Sequence, residues 1–234
     1  MPSLGRKWLR PCSVKINNRM YYDIHTHSLS SRKDVISIFN RSVGEFGSFC
    51  GLDLRHQLYS LGLHPWKIRE DNYSKGLDFI EKNAIFDSIK AIGECGLDRL
   101  CDTPWNLQEK TFIAHIKISE AIQKPLIIHC VKAFEELIAI KKEIKPHQSW
   151  IIHGFRGKPE QANRLINNGF CLSFGPKYNE DSVKIIPLEK LFLETDDSGE
   201  SIESVYEKIS ETLKIEPNLL QNNIRGNVNL HFKM

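Results

Sequence analysis

Six side chains of metal-binding type finish apolar runs in this chain. Glu94 follows Ile89-Lys90-Ala91-Ile92-Gly93, His129 follows Leu126-Ile127-Ile128, His153 follows Trp150-Ile151-Ile152, and Asp196 closes Leu191-Phe192-Leu193-Glu194-Thr195. His25 and His27 sit two apart in Tyr21-Tyr22-Asp23-Ile24-His25-Thr26-His27. Four imidazoles and two carboxylates exceed what one tetrahedral ion uses; they suit two divalent cations bridged by a carboxylate and a hydroxide. Nitrogen and oxygen donors without thiolate leave zinc, manganese and magnesium all open. The competing view, in which each polar group merely caps a buried strand, has trouble with His129 and His153. Each follows two consecutive isoleucines, where a packed core favours a third apolar residue.

The elements that must carry these groups follow from periodicity. Residues 21–27 read as a strand, and alternation puts His25 and His27 on one side. Residues 34–39 read as a second strand, too close to the first for a normal crossover helix. Gly44, Gly47 and Gly51 mark an irregular connection over 40–57. Residues 58–63 form a third strand ending in His64-Pro65-Trp66, and helix follows over about 72–83. The fourth strand, 89–94, ends at Glu94 in a Gly-bounded turn.

Thr103 is placed to cap a helix with Pro104 at its first position, with Phe112, Ile113 and Ile116 inward and His115 on the surface. Strands at 126–129, 150–153, 170–174 and 191–196 alternate with helices from 132 to about 145 and from Pro159, the latter ended by Gly169 in a left-handed conformation. Ile202, Val205, Tyr206, Ile209 and Leu213 stripe a further helix, and the tail reads as helical, broken near Gly226. Eight strands alternating with helices indicate an α/β fold, a TIM-barrel-like (β/α)8 that is distorted by a short or missing first crossover helix. In such barrels active sites form at the C-terminal strand ends, where every candidate ligand falls.

Composition narrows the class. The 234 residues suit one barrel over 20–234, and a net charge of +3 is too weak by itself to indicate a nucleic-acid partner. No apolar run approaches the roughly 20 residues of a membrane span. Six scattered cysteines without a CxxC pair argue against thiolate zinc or redox motifs and suggest a reduced, cytoplasmic protein. Cys95 and Cys130 follow ligands, so alternation turns them into the core. Residues 1–19 carry Arg6, Lys7 and Arg10 but no apolar h-region, and read as a flexible extension. His56, His147 and His231 receive no function.

The series Asp23-Ile24-His25-Thr26-His27, Gly62-Leu63-His64-Pro65, Ile92-Gly93-Glu94-Cys95-Gly96-Leu97-Asp98, Pro125-Leu126-Ile127-Ile128-His129, Ile152-His153-Gly154-Phe155 and Leu193-Glu194-Thr195-Asp196 resembles the TatD family of metal-dependent hydrolases. The resemblance runs from Met20 to the C-terminus. It implies an amidohydrolase-type barrel and deoxyribonuclease activity, with His25, His27 and Asp196 on one ion, His129 and His153 on the other, and Glu94 bridging. The chain departs from the family where Asp197-Ser198-Gly199-Glu200 follows Asp196 and where Arg99-Leu100 stands in place of a common aromatic.

The expected reaction is phosphodiester hydrolysis, with DNA as substrate and a water activated by two metal ions. Asp196 is expected to orient that water and take its proton, Glu94 to fix the intermetal distance, and His64 or Arg156 to hold a phosphate. Asp98, beyond its strand, is a weaker substrate candidate that a surface salt bridge would also explain. Esterase, amidase or deacylase activity is the alternative, and a non-catalytic metal-binding module the second.

Overall fold

The computed structural model describes residues 20–43 and 57–234. The extension expected over 1–19, His56, and most of the irregular connection lie outside the described residues.

Among the described residues eight strands run parallel in sequence order: β1 (Tyr21–Thr26), β2 (Val35–Ser42), β3 (Leu58–Gly62), β4 (Ile89–Asp98), β5 (Leu126–Val131), β6 (Trp150–Ile152), β7 (Cys171–Phe174) and β8 (Leu191–Leu193). The cylinder closes through a parallel bridge between Thr26 and Asp196. The strands are dominated by fully buried aliphatic and aromatic residues such as Ile24, Ile92, Ile127, Ile151, Leu172 and Phe192, which drives closure by removing both sheet faces from water.

Helices α1 (Tyr73–Asn83), α2 (Trp105–Ile122), α3 (Phe134–Ile144), α4 (Pro159–Asn167) and α5 (Glu180–Lys184) follow β3 to β7, and α6 (Ile202–Leu213) and α7 (Pro217–Phe232) follow β8. No helix separates β1 from β2, as the short spacing demands. Among the described residues no helix is long and apolar enough to cross a membrane.

Several local expectations change. β4 does not end at Glu94: it continues to Asp98, pairing Cys95 to Asp98 with Ile128 to Val131 after a register shift beyond Ile92. Gly93 and Gly96 permit this, with φ of +150° and +148°, and a Cβ on either would collide with a β5 carbonyl, that of Ile127 or of His129. The glycines bend the strand rather than stop it.

Thr103 does not cap α2; its hydroxyl donates to Pro65 O at 2.7 Å, fastening the turn after β3. α7 passes through Gly226 without a break, because that glycine faces open space and the helix is held by Leu220, Ile224 and Val228 on its other side. β8 stops at Leu193, and Asp196 sits at φ +55°, so the alternation expected to carry strand geometry to Asp196 fails there.

His115 is fully buried, not exposed. Its Nε2 accepts the Leu63 N–H at 3.0 Å and its Nδ1 faces Thr111 O at 2.8 Å. Burial lowers its pKa to about 4, so the ring is a neutral spacer that joins α2 to the end of β3.

Candidate metal centre

The curved β4 delivers Glu94 into the mouth of the barrel, where its carboxylate faces two groups of imidazoles. Oε2 lies 3.5 Å from His25 Nε2 and 3.9 Å from His27 Nε2. Oε1 lies 2.8 Å from His153 Nε2, 3.0 Å from His129 Nδ1 and 3.1 Å from His64 Nε2. Asp196 Oδ1 completes the first group, 3.5 Å from Nε2 of both His25 and His27. All six expected ligands therefore converge, and His64 stands among them rather than only at the rim. Donor atoms within 4.8 Å of one another define three sets: His25, His27 and Glu94; His25, His153 and Asp196; His64, Glu94 and His129.

The donor chemistry fits divalent cations. Both nitrogens of His25 are buried and have no hydrogen-bond partner among the described residues. Such a group is costly in a protein interior unless something accepts its lone pair. Burial opposes ionisation of Glu94, yet His153, His129 and His64 hold it well below the usual carboxylate range. Burial likewise opposes Asp196, and His25 and His153 bring it down to about 2. Anionic oxygens among imidazoles are what a cation requires.

A surrounding layer fixes these groups. Asn40 Nδ2 donates to Glu94 Oε2 at 3.0 Å while its Oδ1 accepts the Glu94 N–H at 3.0 Å, clamping side chain and backbone together. Asp98 is buried, not a surface salt-bridge partner: its Oδ2 lies 3.0 Å from His129 Nε2 and accepts Trp66 Nε1–H at 2.7 Å. Glu194, fully buried, accepts the Gly154 N–H at 2.6 Å and lies 3.4 Å from His153 Nδ1. Asp23 accepts both the N–H and the hydroxyl of Thr195, at 3.0 and 2.6 Å. This fixes the backbone just before Asp196. Burial pushes the Asp23 carboxyl up to about 7 against those two bonds.

Asn40 and Glu194 escaped the sequence reading. Their contacts span 54 and 40 residues, and the available signal was a polar side chain inside an apolar strand run. Cys95 is buried and Cys130 half-buried, and burial raises both thiols, so neither offers a thiolate.

The centre opens into a cavity of about 590 Å³ whose lip carries Phe39, Arg41, Trp66 and Lys67. Asp197 lies on the same lip, a consequence of the left-handed turn at Asp196. Arg156 is exposed and does not line this cavity.

Residues 22–233 match the family described as TatD related DNase. An uncharacterized metal-dependent hydrolase of Buchnera aphidicola is 30% identical over 76% of this chain and 72% of its own length. The deoxyribonuclease Tat-D of Schizosaccharomyces pombe is 29% identical over 58% of this chain and 50% of its own, and the chain spans about half the length of several such relatives. In fold, the crystal structure of YJJV, a TatD homolog from Escherichia coli, superposes with a TM-score of 0.78 at 20% identity, over 93% of this chain and 99% of that one. With the family's pattern matched from Tyr22 almost to the last residue and laid on this barrel, the chain belongs to the TatD family of metal-dependent hydrolases.

Proposed function

We propose that this hydrolase cleaves phosphodiester bonds in DNA, using two divalent cations on either side of Glu94. The observation that carries the reading is the division of the Glu94 carboxylate, with one oxygen toward His25 and His27 and the other toward His129, His153 and His64. His25, His27 and Asp196 would hold one ion and His129 and His153 the other; zinc, manganese and magnesium all suit the donors. When bound, such ions polarise phosphoryl oxygens and make water acidic enough to attack near neutral pH.

The chain's own groups supply the rest. Asp196 is ionised throughout the physiological range and half-buried at the lip, placed to align a water and receive its proton. Asn40 keeps Glu94 from rotating, so the spacing between the two histidine groups is set before substrate arrives. Arg41 and Lys67 put positive charge on the lip, where a phosphodiester backbone would approach. DNA as the substrate draws support from the Schizosaccharomyces pombe relative, which is named a deoxyribonuclease.

The test is an activity panel on protein loaded in turn with zinc, manganese and magnesium, using a labelled DNA oligonucleotide, its RNA counterpart and an acyl ester. DNA cleavage that disappears with chelator is the expected result. Acyl-ester hydrolysis without phosphodiester cleavage would replace this reading.

A further inference from the structure

A second cavity of about 400 Å³ adjoins the metal centre, and Trp66 is the wall between them, lining both. Its other walls are Leu100, Cys101, Asp102 and Val131, with Asp98 at its base. The two sides differ in charge. Both sides carry carboxylates, but the catalytic side bears Arg41 and Lys67 beside Glu94, Asp196 and Asp197, whereas the second side offers apolar surface, Asp98 and Asp102, and no cation among the described lining residues. A phosphate meets cations only on the first side; a flat, neutral group with ring nitrogens suits the second.

Trp66 and Leu100 stay unusually open for their size, 63% and 65% exposed. A free exposed indole would rotate in water, yet here one carboxylate fixes the Trp66 side chain and the backbone at Leu100. Asp98 Oδ2 accepts the indole N–H at 2.7 Å, and Asp98 Oδ1 accepts the Leu100 backbone N–H at 2.7 Å. His64 adds an edge contact, its ring centroid 4.9 Å from that of Trp66. A large aromatic face held rigid without being buried loses little entropy when a partner stacks on it.

We infer that this second cavity is a nucleobase subsite, in which one base of the substrate stacks on Trp66 against Leu100 while its phosphate stays on the Arg41 and Lys67 side. The inference rests on the phosphodiester reading and adds to it a base-dependent contact one nucleotide from the scissile bond. Because every base has a stacking face, the subsite reads the presence of a base more than its identity.

Two measurements test it. In the first, metal-loaded wild type, Trp66→Ala and Leu100→Asp cleave a DNA oligonucleotide and versions carrying an abasic residue at each position in turn. Stacking of one base is worth about 5- to 150-fold in this setting. Wild type should lose that much kcat/KM on one abasic version, mainly through KM. Trp66→Ala should lose it on the intact oligonucleotide and show no further loss on the abasic one. Leu100→Asp, which leaves the Asp98 contacts with Trp66 and His129 in place, should behave in the same way. Wild type that cuts intact and abasic DNA equally well would overturn the subsite.

In the second, deoxyadenosine monophosphate and deoxyribose 5-phosphate are titrated into metal-loaded wild type and Trp66→Phe while tryptophan fluorescence is read. Quenching by the nucleotide alone, lost in the variant, supports the subsite even if no phosphodiester is cleaved, in which case only the reading of the reaction falls. Equal responses to the two ligands, or in the two proteins, would overturn it.

Discussion

His129 is held from both ends: its Nδ1 lies 3.0 Å from Glu94 Oε1 and its Nε2 lies 3.0 Å from Asp98 Oδ2. A carboxylate behind a ligating imidazole fixes its tautomer and direction and raises its basicity. Replacing Asp98 with Asn keeps the size but weakens that hold. Asp98→Asn should lower metal affinity or activity by about 10- to 100-fold with little change in thermal stability. Calorimetric metal titration of both proteins checks this, and unchanged affinity and turnover would remove Asp98 from the site.

Glu94 faces both histidine groups, so its loss should affect two ions and not one. Metal analysis after saturation and desalting should find about two ions per chain in wild type. Glu94→Ala should fall below one, and treating wild type with chelator should abolish turnover. A wild-type stoichiometry of zero would end the two-ion proposal.

Asp196→Asn retains an oxygen donor while removing most basicity. Hydrolysis should drop at least about 100-fold even where metal content is kept, in line with the loss of a general base. Asp197 is not a neutral comparator, since it shares the lip of the cavity. Asp181, exposed on α5, serves instead, and Asp181→Asn should cleave like wild type. Full activity in Asp196→Asn would refute its assigned role.

His115 predicts a pH dependence of stability. Its ring stays neutral in the folded protein down to about 4, whereas an unfolded chain takes up the proton near 6.5. Between those values the unfolded state binds more protons, so the contribution is fully present above 6.5 and is lost as pH falls toward 4. The loss amounts to about 2 kcal/mol at pH 5. Denaturant melts at pH 7.5 and pH 5 should show that extra loss in wild type and not in His115→Gln. Parallel behaviour of the two would contradict it.

The barrel was readable because its strands are runs of Ile, Leu and Val that end in polar groups, and β5 with His129 or β6 with His153 needs little more. What could not be read depends on pairing across the fold. Nothing near His115 announces that the Leu63 N–H, 52 residues away, needs an acceptor. Asn40 looks like an ordinary strand residue until β4 brings Glu94 against it. Gly93 and Gly96 suggest a turn from local propensity, and only the β5 carbonyls beside them show that they allow a bent strand instead. The end of β8 misled in the opposite way, since the apolar start Leu191-Phe192-Leu193 suggested a strand running on to Asp196 and hid the left-handed turn that presents it.

That turn lies on the seam where the first strand meets the last. Asp196 N–H donates to His25 O at 2.9 Å, His27 N–H donates to Asp196 O at 3.0 Å, and Asp23 grips Thr195 across 172 residues of chain. The seam closes the long covalent loop between them into a ring, and the entropy cost of closure falls on these few bonds. Any fluctuation that parts the two strands also draws His25 and His27 away from Asp196. These three groups therefore loosen together: they are clasped when the ring is shut and parted when it opens, while Glu94 and His129 ride on β4 and β5, away from the seam.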